Sequence, residues 1–274
     1  MNKDIFFNVY QFLSINDIQS CLLVSSTFYT FIDHHFWKTL LIRDYCDMNT
    51  DDLKKDKFYF RYIKCHQLSR LKNKLYLNES IDQLADLHTL DLSNNQLTEL
   101  PTEFGQIRAL QTLSLSYNHL TSLPREFGLI RALQTLNLHY NQLTSLPREF
   151  GQLDALQKLR LYNNKLTSLP TEFGQLAVLQ TLNLNNNQLT SLPTEFGQLA
   201  ALQTLHLHNN KLTSLPSEFG QLRALHTLSL YNNHLTSLPR EIGQIRALQI
   251  LDLSTNLLNE AKKYLPNTVT IHCV

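Results

Sequence analysis

From Leu87 to Leu258 the apolar positions fall into one pattern written eight times at a spacing of 23 residues: L-x-x-L-x-L-x-x-N-x-L-T-x-L-P-x-E-F-G-Q-L-x-A. The copies open at Leu87, Leu110, Leu133, Leu156, Leu179, Leu202, Leu225 and Leu248. Within each, L-x-x-L-x-L alternates over a few residues, which predicts a short strand with one face buried. In the second copy that strand carries Leu110, Leu113 and Leu115. Asn118 then breaks the apolar pattern where the chain must turn, and its amide can satisfy backbone groups that a buried turn would orphan. The same residue recurs as Asn95, Asn141, Asn164, Asn187, Asn210, Asn233 and Asn256, so stacked copies form a ladder.

The second half of each copy, L-P-x-E-F-G-Q-L, predicts a return leg without a long helix. Proline at 101, 124, 147, 170, 193, 216 and 239 favours extended or first-turn backbone. Every glycine of the chain sits in this leg, from Gly105 to Gly243, and a glycine confined to one position predicts left-handed backbone after a short helical turn. Phe104, Phe127, Phe150, Phe173, Phe196 and Phe219, with Ile242 last, are expected to stack as a spine on the side away from the strands. One copy alone cannot bury its leucines. Each buried leucine contributes about 1.5–3 kcal/mol, so stability accrues at the interfaces between neighbouring copies.

With spacing, Asn and spine residues agreeing in successive copies, the template resembles the leucine-rich repeat (LRR) family. The resemblance implies an α/β solenoid: a curved horseshoe with a parallel sheet on its concave face and short 3₁₀ or extended segments on the convex face. Its sheet edges need caps. Leu75-Tyr76-Leu77 repeats the L-x-L spacing 15 residues before Leu90 and Leu92 and is read as an irregular first strand. Beyond Leu258, NEAKKYLP predicts a short helix and Val269-Thr270-Ile271 a closing strand. The expected organisation is a helical head over residues 1–48, a helical linker and N-terminal cap over 49–74, repeats over 75–258 and a C-terminal cap over 259–274.

The head has no repeat and a helical apolar spacing, with Ile5, Val9, Phe12 and Leu13 on one face. A turn at Ser14-Ile15-Asn16 leads to a second helix through Ile18, Leu22 and Leu23, which Asn16 or Ser14 can cap. Ile5, Val9, Tyr10, Leu13, Asp17, Ile18, Val24, Phe28 and Trp37-Lys38 stand in an order that resembles the F-box, although Asn2-Lys3 replaces the Leu-Pro with which that motif usually opens. The resemblance implies docking on the Skp adaptor of a cullin-based (SCF) ubiquitin ligase through Ile5, Val9, Tyr10, Leu13, Ile18 and Val24. The alternative is a head that serves only as a cap. Near-identical repeats behind a diverged F-box also resemble the effectors that intracellular bacterial pathogens deliver into host cells, which implies a host-cytoplasmic site of action.

Comparison of the copies with one another marks where function can lie. Alternation along a strand puts the third, fifth, seventh and eighth residues of each copy on the solvent-facing concave side. These positions vary while the rest stays nearly constant. Tyr117, His139, Tyr140, Arg160 and Tyr162 form one predicted cluster there, with Lys158 beside it, and His206, His208 and Tyr231 form a second. Tyr and Arg are favoured at binding hot spots, so both clusters are candidate contacts for a target protein. His206 and His208 share a face, but no third metal-ligating group is evident nearby, and neither metal nor cofactor is expected. The glutamates from Glu103 to Glu241, with Arg125, Arg148 and Arg240 adjacent, are expected to form solvated or cross-repeat ion pairs of small individual value.

Composition narrows the function classes. A net charge of +1 gives no electrostatic case for nucleic acid, and no apolar run approaches the roughly 18 residues that span a bilayer. MNKDIFFNVYQFL lacks a signal-peptide cleavage site. Cys21, Cys46, Cys65 and Cys273 have no metal-like spacing and read as free thiols of a reducing cytoplasm. No nucleophile–base constellation is present, and Cys46-Asp47-Met48 does not fit the C-x-D motif of bacterial LRR ubiquitin ligases. Together with the LRR and F-box resemblances, these exclusions imply a non-catalytic, cytoplasmic adaptor whose head is expected to recruit a ligase and whose concave face is expected to select a target. A stand-alone LRR protein that scaffolds or inhibits a partner enzyme is the second reading.

Overall fold

The structure, a computed structural model, describes Leu75, residues 84–254 and residues 257–273. The F-box-like head over 1–48 and the linker over 49–74 lie outside the described residues. The chain divides between Asp82 and Gln83, and the strands and return legs lie in the second unit.

Nine strands form one parallel sheet in sequence order: β1 (Thr89–Asp91), β2 (Thr112–Ser114), β3 (Thr135–Asn137), β4 (Lys158–Arg160), β5 (Thr181–Asn183), β6 (Thr204–His206), β7 (Thr227–Ser229), β8 (Ile250–Leu253) and β9 (Thr270–Cys273). Between β1 and β8 each residue pairs with the one 23 positions on, as Leu136 with Leu159 and Leu159 with Leu182. The sequence period is therefore also the hydrogen-bonding register. The middle residue of each of these strands is a buried leucine, and so are the leucines that open the described copies from Leu110 to Leu248.

Each return leg holds one five-residue 3₁₀ helix, from Thr102–Gln106 to Arg240–Gln244. Proline precedes each in extended backbone, and its carbonyl accepts the first turn's bond, as Phe150 N–H to Pro147 O at 3.0 Å. The six phenylalanines are fully buried and stack at ring-centroid distances of 6.0–6.2 Å with interplanar angles of 1–7°. On the strand side, side chains one copy apart stack at only 4.5 Å, as His139 on Tyr162, and strands are about 4.8 Å apart. The Phe side is the longer arc and the sheet the shorter, so the repeat unit curves with its sheet inside.

The asparagine ladder forms. Asn164 Oδ1 accepts from Leu143 N at 3.0 Å, while its Nδ2 donates to Leu138 O and Leu161 O at 3.0 Å each. One buried side chain thus satisfies backbone groups of two copies, and Asn118, Asn141, Asn187 and Asn210 repeat the arrangement. At the C-terminal end, α1 (Leu258–Tyr264) leads to β9, which pairs with β8 in parallel.

Two expectations need correction and one is narrowed. No glycine has positive φ. Instead, a β-carbon on Gly151 would lie 2.2 Å from the carbonyl oxygen of Glu172 in the next copy, the other glycines from Gly105 to Gly220 stand in the same way, and Gly243 faces Tyr264 O of the cap. Glycine is there because adjacent return legs approach too closely for any side chain. Of the two arrangements expected for the glutamate pairs, the solvated one forms: Arg125, Arg148 and Arg240 are exposed and bond to the glutamates next in sequence, at 3.0, 3.2 and 2.9 Å, while an ion pair between copies joins Arg131 to Asp154 at 3.8 Å. Leu75 is helical, where the L-x-L spacing predicts a strand over 75–77; residues 76 and 77 lie outside the described residues.

Candidate functional site

The variable positions of the copies line the inner face, and the strands hold them in rows. Thr135 faces Lys158 across the β3–β4 pair and Asn137 faces Arg160. The seventh and eighth residues follow each strand, and the eighth turns the chain. Asn94, Tyr117, Tyr140, Asn163, Asn186, Asn209 and Asn232 all occupy it with φ between 53° and 59°, the left-handed region. Asn tolerates that region; other side chains with a β-carbon are strained there by about 1–2 kcal/mol. Two tyrosines therefore stand where the fold asks for Asn, and both are exposed, Tyr117 at 50% and Tyr140 at 44%.

The sequence-predicted first cluster assembles as four rings. Tyr117 stacks on Tyr140 at 4.5 Å and 11°, and His139 stacks on Tyr162 at 4.5 Å and 13°. The two stacks meet edge-on, with Tyr117–His139 at 5.5 Å and 78° and Tyr140–Tyr162 at 5.7 Å and 78°. Such offset and T-shaped pairs contribute about 0.5–1.5 kcal/mol each beyond area burial, so the cluster is held together by its own ring contacts. Arg160 and Lys158 are exposed on β4 beside it. Arg160 reaches back to Asn137, with Nη1 donating to Oδ1 at 3.0 Å. Burial, helped by the Arg160 charge, pushes His139 below the usual imidazole pKa, and its Nδ1 is buried without a hydrogen-bond partner. Burial pushes the Tyr162 hydroxyl up, with Tyr117 and Tyr140 adding to it and Arg160 opposing.

The second cluster also assembles. His208 stacks on Tyr231 at 4.5 Å, His206 meets His208 edge-on at 6.1 Å, and Ser229 Oγ lies 3.1 Å from His208 Nδ1. Burial lowers both histidine pKa values, with Asp252 opposing. Among the described residues no group of three His, Cys, Asp or Glu side chains is placed to hold a metal ion. Between the clusters, the fifth copy presents Asn183 and Asn186. Not every variable position is open: Ser116, Asn185 and Ser229 are buried.

Sequence reasoning missed the left-handed turn. The signal was available, because Asn fills most of the eighth column, and a column of Asn marks backbone that other residues avoid. It also missed the hydroxyl cluster of Ser93, Ser114 and Ser116 beside Tyr117, with oxygens 2.6–3.3 Å apart.

Comparison with known proteins accords with this geometry. The model of the leucine-rich repeat region matches residues 53–168, 105–186 and 155–233, and a leucine-rich repeat model matches 224–245. The chain is a leucine-rich repeat protein. Among solved structures, this LRR protein is similar to an LRR protein of Leptospira interrogans, with 48% identity, a TM-score of 0.62 and coverage of 66% of this chain and 46% of that one. It is also similar to the plant peptide hormone receptor RGFR1, solved in complex with RGF2, at 29% identity and a TM-score of 0.54, over 64% of this chain and 30% of the receptor. The LRR chain thus spans less than half the length of either. Comparison with curated proteins gives no match. LRR proteins generally mediate protein–protein interaction, and the fold is typically a non-catalytic scaffold. No helix among the described residues is long and apolar enough to cross a membrane.

Proposed function

We propose that this LRR protein is a non-catalytic adaptor whose concave face holds a target protein. The observation that carries this reading is the pair Tyr117 and Tyr140: bulky, exposed rings kept in left-handed turns where sibling copies use Asn. Strain of this kind persists where the surrounding structure imposes it and where it serves a function. The rings are stacked and held by neighbours, so a partner loses little side-chain entropy in using them. His206, His208 and Tyr231 form a second contact.

The head supplies the other arm. Its order of Ile5, Val9, Tyr10, Leu13, Ile18 and Val24 resembles the F-box, which supports docking on the Skp adaptor of a cullin-based ubiquitin ligase. Diverged head and near-duplicate repeats together support a delivered bacterial effector that works in the host cytoplasm. Asn2-Lys3 in place of Leu-Pro favours one other reading, a stand-alone LRR protein that scaffolds or inhibits a partner enzyme, with the head as cap. Titration of the full chain with purified Skp adaptor separates them. The adaptor reading expects binding that Leu13→Lys removes, and absence of binding at micromolar concentration sinks it. For the concave arm, proteins captured by the wild-type chain should be lost from a Tyr117→Asn/Tyr140→Asn/Tyr162→Asn chain. Equal capture by both would overturn the face assignment.

A further inference from the structure

The chemistry of the concave face says what kind of partner it fits. In the second to seventh copies, the four variable positions hold no Asp or Glu, and their only Lys or Arg residues are Lys158 and Arg160. These stand two residues apart on β4 and so project from the same side of the sheet. Neither has an acidic partner among the described residues. The acids of the face lie at its two ends and are already engaged: Asp91 accepts from Ser93 N–H at 2.9 Å, and Asp252 lies 2.8 Å from His272 Nδ1. By contrast, Arg125, Arg148 and Arg240 on the outer side each hold a glutamate. The middle of the concave face is therefore a site of two positive charges without counter-ions, set against a preassembled aromatic cluster.

Two adjacent cations in an otherwise neutral row cannot follow a nucleic-acid backbone, which needs a line of phosphate contacts. They suit one compact anion. The guanidinium offers a planar fork of donors that matches a carboxylate, and only one of its donors is engaged by a side chain, on Asn137. The exposed Tyr117–Tyr140 stack lies one to two strands across and three positions further along the copy, roughly 10–14 Å from Arg160 at the usual strand spacing and rise. In an extended chain rising about 3.3 Å per residue, that distance is three or four residues. We propose that the concave face binds an acidic protein segment: an Asp or Glu carboxylate sits on Arg160 and Lys158, and an aliphatic or aromatic side chain three or four residues away lies on Tyr117 and Tyr140. This rests on the concave face being the binding surface at all.

The fold supplies its own control substitutions. Thr occupies the place of Lys158 in neighbouring copies, as Thr135 and Thr181, and Asn occupies that of Arg160, as Asn137 and Asn183. Lys158→Thr/Arg160→Asn therefore removes the charge with residues the repeat already accepts, and Tyr117→Asn/Tyr140→Asn does the same for the rings. A random dodecapeptide display library is selected on the immobilised full chain, and enriched peptides are synthesised and titrated against the three proteins. The expected result is enrichment of peptides with Asp or Glu three or four residues from an apolar side chain. Their affinity should fall about tenfold or more in each variant, and should weaken as salt rises and screens the exposed pair. Peptides that lose binding to the Tyr variant, but carry no acid or ignore the charge variant, overturn this inference and leave the concave reading standing. Peptides indifferent to both variants, or no enrichment, overturn both.

Discussion

Tyr117 and Tyr140 set two effects against each other at the scale of single residues. Each carries a left-handed backbone strain of about 1–2 kcal/mol, much reduced for Asn. Against it stand their shared stack and the edge-on pairs with His139 and Tyr162, worth about 0.5–1.5 kcal/mol each. A single Tyr117→Asn or Tyr140→Asn change should thus leave stability within about 2 kcal/mol of wild type. Each single change loses the shared stack and the double change loses it once, so the double should be more stable than the sum of the singles predicts. Chemical denaturation of the four proteins, as a double-mutant cycle, checks this; a double variant no more stable than that sum would show that the two rings are not coupled. Asn164 gives the opposite case. Its amide satisfies groups in two copies, so Asn164→Ala orphans three buried backbone groups and should cost about 1–3 kcal/mol for each left unsatisfied, read as a fall in midpoint. The sequence revealed the Asn164 ladder because one residue type recurs at one position. It hid the Tyr117 turn because backbone sign shows only in which residues a column tolerates.

The strand, the turn and the return leg follow from different physics, and this decided what could be read in advance. Strand positions and the Phe spine obey a period visible within one copy, so Leu113, Leu115 and Phe127 go where alternation and spacing put them. The glycines do not, because the reason for them is a carbonyl in the following copy. Gly174→Ala forces a β-carbon to 2.2 Å from Glu195 O and should cost about 1–3 kcal/mol through displacement of the neighbouring leg. Gly243→Ala meets Tyr264 O of the cap at 2.6 Å and should be milder. Thermal midpoints of the two variants test the ordering, and a larger fall for Gly243→Ala would contradict close approach as the cause. The sequence leaves the Arg148–Glu149 pair open between a solvated contact and one that reaches the next copy. It closes on the next residue, because both side chains leave the same 3₁₀ turn.

At the scale of the whole repeat unit, stability and the proposed binding surface occupy different columns of one pattern. Leu, Phe, Gly and the ladder Asn make each copy fit its neighbours, while the inner face can change without disturbing that fit. The face also sets a pH response. His139, His206 and His208 have folded pKa values pushed below the ordinary 6.5, so the unfolded chain binds protons more readily. Their stabilising contribution is complete above about 6.5 and is lost as pH falls from there toward the folded values. The carboxylates of Asp91, Glu149 and Glu241 are also held low, and their contribution is lost only in a more acid range. The thermal midpoint should therefore decline between about pH 6.5 and 5, and His139→Asn/His206→Asn/His208→Asn should flatten that limb. An unchanged limb would remove the histidines as its cause.

The central claim is that the inner face, and not the outer one, holds a protein partner. Its most direct measurement is the Kd of a captured partner for three full-length chains: wild type, the inner-face variant Tyr117→Asn/Tyr140→Asn/Tyr162→Asn, and an outer-face control, Glu172→Gln/Glu195→Gln. Losing a central hot spot costs about 2 kcal/mol or more. The account predicts at least a 30-fold rise in Kd for the inner-face variant, by about 1.4 kcal/mol per factor of ten, and no change for the control. A control that weakens binding while the inner-face variant binds like wild type would contradict it.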